Sequence, residues 1–410
     1  MRPDKPKLIL VVLFVVMTQA ALANTWYVNG VKGSDSNHCD SATIPCKTIR
    51  RAISLATSGD AIRVAAATYQ ENLTISKSLN MIGSGTSTTI IDGGGVNTVV
   101  TISSTGANVV LSNLTIRNGV AFSGGGVYNS GQLTITGSAV SGNSVFPCAL
   151  DPCLQSGSVH GGGLYNSGTV TINRSTFNNN TASIGRPCTG LCGAFGGGIY
   201  SSGTLTVHNS TFSGNSTFGS CSTHCLVYGG GIYSDGMFKI NNSTLSENKL
   251  RFNTFCFILC RINGAAVSGT GSGTISNSTI AGNSAPYLGG IGSNSATLQN
   301  TILADNIGGN CDAPLIKSKG YNLSSDSTCN FNGPGDMNNI NPNLGPLQYN
   351  GGPTQTMALP SGSPAIDAGN PSGCTDDSGH LLKTDQRGMP RPDSEDAGGC
   401  DMGAFERQSD

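Results

Sequence analysis

The sequence contains several copies of one repeat, which is clearest as GGGIYSSGTLTVHNSTFSGN from Gly196 to Asn215. Successive copies end 37, 35, 33, 35 and finally 23 residues apart, at Asn143, Asn180, Asn215, Asn248, Asn283 and Asn306. Self-similarity at such a period indicates a solenoid, in which each repeat contacts its neighbours. The shortest step, 23 residues, suits one turn of a β-helix. The longer copies then carry an insertion ahead of the glycine triplet.

Within each copy, short stretches of apolar β-formers are bounded by glycine, asparagine and serine, which predicts strands joined by tight turns. Stacked coils place equivalent residues about 4.8 Å apart, so each position becomes a column. We expect an inward phenylalanine column at Phe177 and Phe212, an asparagine ladder, and a hydroxyl column through Thr211 and Thr244. The glycine triplets predict bends with positive φ or close backbone approach. The predicted fold class is all-β, a parallel β-helix of roughly nine coils.

The N-terminal residues have the layout of a cleavable secretory signal. Arg2, Lys5 and Lys7 precede an apolar run from Leu8 to Met17, and small residues follow up to Ala23. We therefore assign residues 1–23 to a signal peptide and expect no membrane span in the mature chain. Charged residues make up only 11% of the chain and the formal net charge is -1, which argues against a nucleic-acid partner.

The fourteen cysteines fit an oxidising compartment, where an even count predicts disulfides. Their order along the chain suggests seven pairs: Cys39 with Cys46, Cys148 with Cys153, Cys188 with Cys192, Cys221 with Cys225, Cys256 with Cys260, Cys311 with Cys329, and Cys374 with Cys400. Cross-links between stacked inserts remain an alternative. The cysteines lack the further Cys or His at zinc-site spacing, so we expect no metal site there.

We expect three regions in the mature chain: residues 24–98 with a strand, a helix cap between Thr48 and Thr57 and entry coils; residues 99–310 with the repeats; and residues 311–410 as an irregular C-terminal cap. The stretches GDAIRV from Gly59, YQENLTI from Tyr69 and IIDG from Ile90 resemble the entry coils of pectate-lyase-like and pectinesterase-like proteins. That resemblance implies a right-handed parallel β-helix.

The C-terminal region carries a second resemblance. It contains NPNLGPLQYNGGPTQTMALPSGSPAIDAG from Asn341, then TDQRGMPRP from Thr384 and CDMGAFE from Cys400. This order of motifs is similar to the C-terminal module of bacterial choice-of-anchor Q proteins. The spacing of Phe177 and Asn180 more loosely resembles the Phe-x-x-Asn repeats of outer-membrane adhesins. Both resemblances imply an exported protein, secreted or at the cell surface.

The tyrosines of the repeat are the first candidate binding residues: Tyr128, Tyr165, Tyr200 and Tyr233. An aromatic face can cover the apolar side of a sugar ring, so a tyrosine column could form a platform for polysaccharide or cell-surface glycans. The alternative is that the tyrosines stack on one another and support the turn.

Candidate catalytic residues are few. Arg174, His208 and Lys239 fall in neighbouring coils at nearby positions and form the best available cationic cluster. In the C-terminal region, Asp367, Asp385 and Asp401 with Arg387 and Arg391 predict a structural Arg–Asp network. A Ca²⁺ site there is the alternative; otherwise no cofactor is expected.

The sequence thus favours an exported, monomeric, non-catalytic protein that binds glycans or surface partners. The alternative function is a pectate-lyase-like enzyme that cleaves acidic polysaccharide. That alternative depends on the resemblance, and one fold supports many chemistries.

Overall fold

The computed structural model describes residues 23–146, 157–188, 191–221, 224–252, 259–292, 295–312, 314–376, 378–394 and 399–408. The predicted signal peptide lies outside these residues except for Ala23, as do Cys148, Cys153 and Cys256 and the side chains of Cys188 and Cys221. In the described part of the chain, no helix is long and apolar enough to cross a membrane.

The chain winds as a right-handed parallel β-helix, which confirms the predicted fold class. Each complete coil runs through three strands, and the stacked strands form three long parallel sheets that we name A, B and C. The eleven strands of sheet A are Thr25–Val28, Ala61–Val64, Leu79–Gly83, Asn108–Ser112, Gln132–Thr136, Thr169–Asn173, Thr204–His208, Phe238–Asn241, Ser272–Ser276, Ser295–Gln299 and Ile316–Ser318.

Sheets B and C complete the coil. The eleven strands of sheet B are Ala67–Gln70, Thr89–Asp92, Thr115–Arg117, Ala139–Ser141, Thr176–Asn178, Thr211–Ser213, Thr244–Ser246, Thr279–Ala281, Ile302–Ala304, Leu323–Ser324 and Met337–Asn338. The eight strands of sheet C are Leu73–Ile75, Val100–Ile102, Val127–Asn129, Leu164–Asn166, Ile199–Ser201, Ile232–Ser234, Val267–Ser268 and Ile291–Gly292.

Among the described residues, sheet C has eight strands and sheet A has eleven, on either side of the roughly nine coils expected. Residues 99–310 contribute seven of the sheet A strands, from Asn108–Ser112 to Ser295–Gln299, and the entry and C-terminal regions contribute the others. Dividing the repeat region by its shortest unit overcounted its coils, because each insert lengthens the coil it interrupts. It also left out the coils on either side of the repeats.

The core forms because side chains alternate between the two faces of each strand. In the strand Thr169–Asn173, Val170 and Ile172 are buried while their neighbours face outward. Phe177 and Phe212 are fully buried, and their ring centroids lie 5.1 Å apart in a stacked arrangement. The predicted asparagine ladder is also present, since the side-chain amides bond from coil to coil between Asn143 and Asn306.

The glycine triplets make the predicted bends just before sheet C. Gly196 has φ of 68°, a conformation that costs other residues free energy. At Gly197 an added Cβ would lie 2.3 Å from the carbonyl oxygen of Ser216. The backbones of adjacent segments therefore approach too closely for any side chain at this position.

The inserts ahead of the triplets are strands, which corrects their interpretation as loops. Together they form two further parallel sheets, D and E. Sheet D contains Val120–Ala121, Ser144–Val145, Thr181–Cys188, Ser216–Cys221 and Lys249–Phe252, and sheet E contains Gly157–His160, Leu191–Phe195, His224–Tyr228 and Leu259–Asn263. The two sheets pack on each other around a second apolar core, which includes Val159, Ile184 and Val227. We call this projection the fin.

Disulfides join Cys39 to Cys46, Cys311 to Cys329 and Cys374 to Cys400. In the fin, the disulfide-bonded cysteines Cys192, Cys225 and Cys260 occupy register positions in adjacent strands of sheet E. The inserts therefore repeat their cysteines from coil to coil as the rest of the pattern does.

A short helix covers the first coils. It spans Ile49–Leu55 within the predicted segment, and it buries Ile49, Ala52 and Ile53. The Glu71 carboxylate accepts hydrogen bonds from the backbone N–H groups of Ile49 and Arg50 at 2.8 and 2.9 Å. These bonds satisfy backbone donors that the first turn of a helix leaves open.

The C-terminal region continues the coils beyond the expected boundary at Asn310, with strands in sheets A and B up to Asn338. Residues 341–408, which we call the strap, then return along the outer face of sheet B. Thr211 Oγ1 donates to the carbonyl of Gln355 at 2.6 Å, and Thr244 Oγ1 donates to Gln386 Oε1 at 2.7 Å. The predicted hydroxyl column therefore bonds to the strap. In the described part of the strap, the strands Leu347–Gln348 and Thr356–Met357 pair in antiparallel orientation.

Candidate functional site

The four candidate tyrosines occupy the middle position of successive sheet C strands and lie in register. Their ring centroids are 4.8, 5.3 and 5.4 Å apart along the column, and neighbouring rings are within 13° of parallel. The spacing follows from the strand separation of a sheet. The rings therefore cover one another's faces, in the arrangement expected of a turn support.

This stacking limits what the column offers a sugar. A sugar ring packs on an aromatic face rather than on an edge, and the faces inside the column are occupied. Tyr128 ends the column, because the preceding sheet C strand places Thr101 at the register position. The face of Tyr128 opposite Tyr165 has no aromatic partner among the described residues.

A second aromatic column stands beside the first at the base of the fin. His160, Phe195 and Tyr228 lie in register in sheet E, with centroid separations of 5.4 and 5.9 Å. His160 also meets the edge of the Tyr200 ring at 4.6 Å, and Phe195 lies 4.9 Å from Tyr233. The two columns interlock and fix the fin against the body of the solenoid.

The environment keeps these groups uncharged near neutral pH. Burial lowers the pKa of His160, although the negative charge of Asp235 opposes this shift. Burial and Asp235 raise the pKa of both Tyr200 and Tyr233. Tyr200 donates its hydroxyl proton to Asp235 Oδ2 in a hydrogen bond of 3.1 Å. His160, Tyr200 and Tyr233 therefore carry no charge near neutral pH.

A cavity of about 410 Å³ opens beyond the Tyr128 end of the column, where the fin leaves the body. We call it the notch. Its lining residues are Asn72, Leu73, Thr74, Asn97, Thr98, Thr101, Ala121 and Phe122. Phe122 is 52% exposed, and its ring lies 3.9 Å from the position that a Cβ would take at Gly157. The first strands of the fin thus hold an exposed aromatic ring at the notch.

The notch contains polar groups that the protein leaves available. The side chains of Thr74, Thr101 and Asn97 make no hydrogen bond to any described residue. Asn72 is fixed, because its Nδ2 donates to the carbonyls of Val96 and Thr98 at 2.7 and 3.1 Å. Available hydroxyl and amide groups beside an exposed aromatic ring are a combination that suits a polyhydroxylated ligand.

The sequence did not single out the notch, although one signal was available. The tyrosine column begins abruptly at Tyr128, and both preceding sheet C strands carry threonine at the corresponding position, Thr74 and Thr101. This change marks the open end of the column. The placement of Phe122 depends on the fin, and the segments of the fin were predicted to be loops.

The three cationic candidates lie at sheet A, whereas the tyrosine column lies on sheet C. His208 ends a strand and is in register with Asn173 and Asn241, while Lys239 is in register with Thr206. His208 and Lys239 are therefore diagonal neighbours. Arg174 occupies the next turn, where its backbone N–H donates to the His208 carbonyl at 3.2 Å. The fold brings the three residues near one another, but away from the tyrosine column.

The charged cluster of the strap forms the predicted kind of network, with one partner that the sequence analysis missed. Arg387 pairs with Asp385 at 2.7 Å, but Arg391 pairs with Glu406 at 2.6 Å, and both members of that second pair are fully buried. Asp401 Oδ1 accepts a hydrogen bond from the backbone N–H of Asp367 at 2.9 Å. These carboxylates hold the strap together.

Burial raises the pKa of Glu406 to about 8, despite the opposing effect of Arg391. Among the described residues, no three His, Cys, Asp or Glu side chains are grouped so that they could hold a metal ion. The network consists of hydrogen-bonded side chains and backbone contacts within the strap.

The chain belongs to the class of parallel β-helix proteins, and comparison with solved structures shows which fold it shares. A pectate lyase, Pel9A, has a TM-score of 0.51 and 14% identity, covering 94% of this chain and 96% of its own. The pectin methylesterase from carrot has a TM-score of 0.37 and 13% identity over 73% and 89% of the two chains. XylC in complex with xylose has a TM-score of 0.38 and 9% identity over 93% and 98%.

No protein-family profile and no curated protein matches the sequence. The likeness to the pectate lyase shows that the two chains share the parallel β-helix fold.

Proposed function

We propose that this protein is an exported, non-catalytic β-helix protein that binds glycans through the notch and the open face of Tyr128. The observation that carries the proposal is the cavity itself, which lies where the tyrosine column ends and where Phe122 is exposed. Its volume, about 410 Å³, falls in the range of about 300–1,000 Å³ that ligand sites occupy.

The chemistry of the notch supports a carbohydrate ligand. A sugar ring presents hydroxyl groups at its edge and C–H groups on its faces. The hydroxyls of Thr74 and Thr101 and the amide of Asn97 can bond the edge, while Phe122 and Tyr128 can cover a face. The pKa values of Tyr200 and Tyr233 are raised well above neutral pH, so binding would not depend on a tyrosinate charge.

The proposed location is the cell surface or the medium. The disulfides support an oxidising compartment, and the N-terminal residues have the layout of a secretory signal. We also propose that the strap is a module of the choice-of-anchor Q type, on the resemblance of its motifs. In this proposal the protein acts as a monomer, and its partners are polysaccharides or surface glycans rather than nucleic acids.

A second candidate function is a polysaccharide lyase acting on acidic polysaccharide at sheet A. The observation in its favour is that the fold makes Arg174, His208 and Lys239 neighbours. Cations near a substrate carboxylate are what such a reaction requires for charge neutralisation. In this candidate the reaction is β-elimination, and Ca²⁺ would be supplied from solution.

The two candidates are distinguished by two measurements on the purified protein. The first is retention of the protein on a panel of immobilised glycans. The second is the release of unsaturated uronate product, followed by ultraviolet absorbance with and without Ca²⁺. We expect retention without turnover. Turnover that disappears in Arg174→Ala or Lys239→Ala would contradict the non-catalytic function and support the lyase.

A further inference from the structure

The lining of the notch contains no charged side chain. Every described residue around the cavity is an asparagine, a threonine, a leucine, an alanine or a phenylalanine. Resting on the glycan-binding function proposed above, we infer that the notch accepts neutral sugar units and disfavours uronates. The polysaccharide class would then differ from the acidic one that the pectate-lyase type of fold suggests.

The physical reason is the hydration of a carboxylate. A uronate that enters the notch gives up part of its water shell, and this loss is large unless cationic or multiple N–H donors replace the water. The available groups are the hydroxyls of Thr74 and Thr101 and the amide of Asn97. A hydroxyl can both donate and accept, whereas a carboxylate only accepts, so the threonine hydroxyls match sugar hydroxyls better than a carboxylate.

The position of the aromatic rings gives the expected mode of binding. Thr101 is in register with Tyr128, so the two residues are about one strand spacing apart, about 4.8 Å, and a sugar bonded to the Thr101 hydroxyl would lie beside the Tyr128 ring. That separation is close to the 4.8 Å between the Tyr128 and Tyr165 rings. The sugar would thus extend the column by one ring, with Phe122 at its side.

One cation lies near the rim and offers the strongest argument against this inference. Arg50 Nη2 donates to the backbone carbonyl of Asn72 at 3.2 Å. Asn72 lines the notch, whereas Arg50 is not among the lining residues. The guanidinium is held at the rim by this bond, and its removal provides a control for uronate binding.

Isothermal titration of the purified protein tests the inference with defined probes. The neutral probes are cellotetraose, xylotetraose and galactotetraose, and the acidic probe is tetragalacturonate. We expect at least one neutral probe to bind, and tetragalacturonate to bind about tenfold more weakly or not at all. Phe122→Ala and Thr101→Val should each weaken the neutral complex about tenfold.

Matched controls separate the notch from the rest of the surface. Tyr349→Ala removes another exposed aromatic ring, 68% exposed, and Thr134→Val removes an outward hydroxyl on sheet A; both should leave binding unchanged. Thermal unfolding of every variant verifies that it folds.

The remaining outcomes decide against the inference. Tighter binding of tetragalacturonate, lost in Arg50→Gln, would overturn neutral specificity while leaving glycan binding intact. Neutral binding that is indifferent to Phe122→Ala and Thr101→Val would place the ligand elsewhere. If no glycan of either class binds, the proposed function fails as well.

Discussion

Asn180 and Asn215 are joined by two hydrogen bonds across adjacent coils. Asn215 Oδ1 accepts from Asn180 Nδ2 at 2.9 Å and from the Asn180 backbone N–H at 3.1 Å. Asn215 Nδ2 in turn donates to Asn248 Oδ1 and to the Phe177 carbonyl, each at 2.9 Å. One fully buried side chain thereby satisfies the polar groups of three coils.

Replacing this side chain should therefore be costly. Asn215→Ala removes the acceptor of the Asn180 backbone N–H, one of the two acceptors of Asn180 Nδ2 and a donor to the Phe177 carbonyl, all in a buried site. Each unsatisfied group costs about 1–3 kcal/mol, so we expect the free energy of unfolding to fall by about 3 kcal/mol or more. Denaturant unfolding measures the loss.

The matched control is Asn178→Ala, one strand earlier, where the side chain faces outward and makes no hydrogen bond to a described residue. It should change the free energy of unfolding by no more than about 0.5 kcal/mol. Equal losses in the two variants would show that the ladder contributes nothing beyond ordinary side-chain packing.

The buried Arg391–Glu406 pair predicts a stability that declines with pH. An unfolded glutamate titrates near 4.5, and the pKa of Glu406 in the folded protein is raised to about 8. Between these values the folded state holds a proton that the unfolded chain releases. The contribution is therefore complete below about pH 4.5 and is lost as the pH rises towards 8.

Melting temperatures across this pH range, for the parent and for Glu406→Gln, measure the effect. We expect the variant to have the flatter profile, because glutamine does not titrate. Glu247→Gln, which changes an exposed glutamate, should keep the parent profile. A Glu406→Gln profile as steep as the parent's would assign the pH dependence to other groups.

His160 should give the opposite pH dependence of stability, in a more acidic range. Burial lowers its pKa in the folded state below the ordinary value of 6.5. The unfolded chain therefore binds a proton more readily, and stability falls as the pH drops below about 6.5. His160→Phe should reduce this sensitivity to acid and preserve the stack with Phe195, whereas His38→Gln, at an exposed position, should not. Unfolding midpoints over this pH range measure the difference, and identical acid sensitivity in all three proteins would refute the prediction.

Gln386 fastens the strap to sheet B. Its Nε2 donates to Thr211 Oγ1 and Thr354 Oγ1, each at 2.9 Å, and its Oε1 accepts from Thr244. Gln386→Ala removes the acceptor of the buried Thr244 hydroxyl at a cost of about 1–3 kcal/mol. It also removes a donor to the Thr211 and Thr354 hydroxyls, so the strap should open more often. Amide hydrogen exchange should become faster in residues 384–394 and remain unchanged in sheet C. Gln348→Ala, on the strap's exposed hairpin, is the control, and unchanged exchange in Gln386→Ala would mean that other contacts hold the strap.

The sequence was sufficient to predict the columns of the coil because each one repeats at a fixed position. Asn180, Phe177 and the glycine triplets recur with the period, and the structure places them as the period requires. The fin could not be predicted in the same way, because its segments form strands only through the packing of sheets D and E on each other. Thr211 and Thr244 looked like one more hydroxyl ladder because their partners come from a strap more than 140 residues later in the chain.

The same reasoning explains the candidate site. The tyrosine column could be predicted from the repeat. Whether the rings cover one another's faces depends on side-chain orientation, which a repeat does not specify. The notch needs residues from three coils, from Asn72 to Phe122, and these residues do not share a repeat position. Of the strap's buried pair, the sequence analysis predicted only Arg391, by its charge. Glu406 was missed because its contact with Arg391 depends on how the strap packs.

Glycan binding at the open end of the tyrosine column is the central claim, and comparing Tyr128→Ala with Tyr233→Ala tests it most directly. The measurement is the dissociation constant for the best glycan of the panel, on variants shown to be folded by circular dichroism. We predict that Tyr128→Ala weakens binding about tenfold, whereas Tyr233→Ala, at the far end of the column, leaves the constant unchanged. Equal losses in both variants, or no loss in Tyr128→Ala, would contradict the claim.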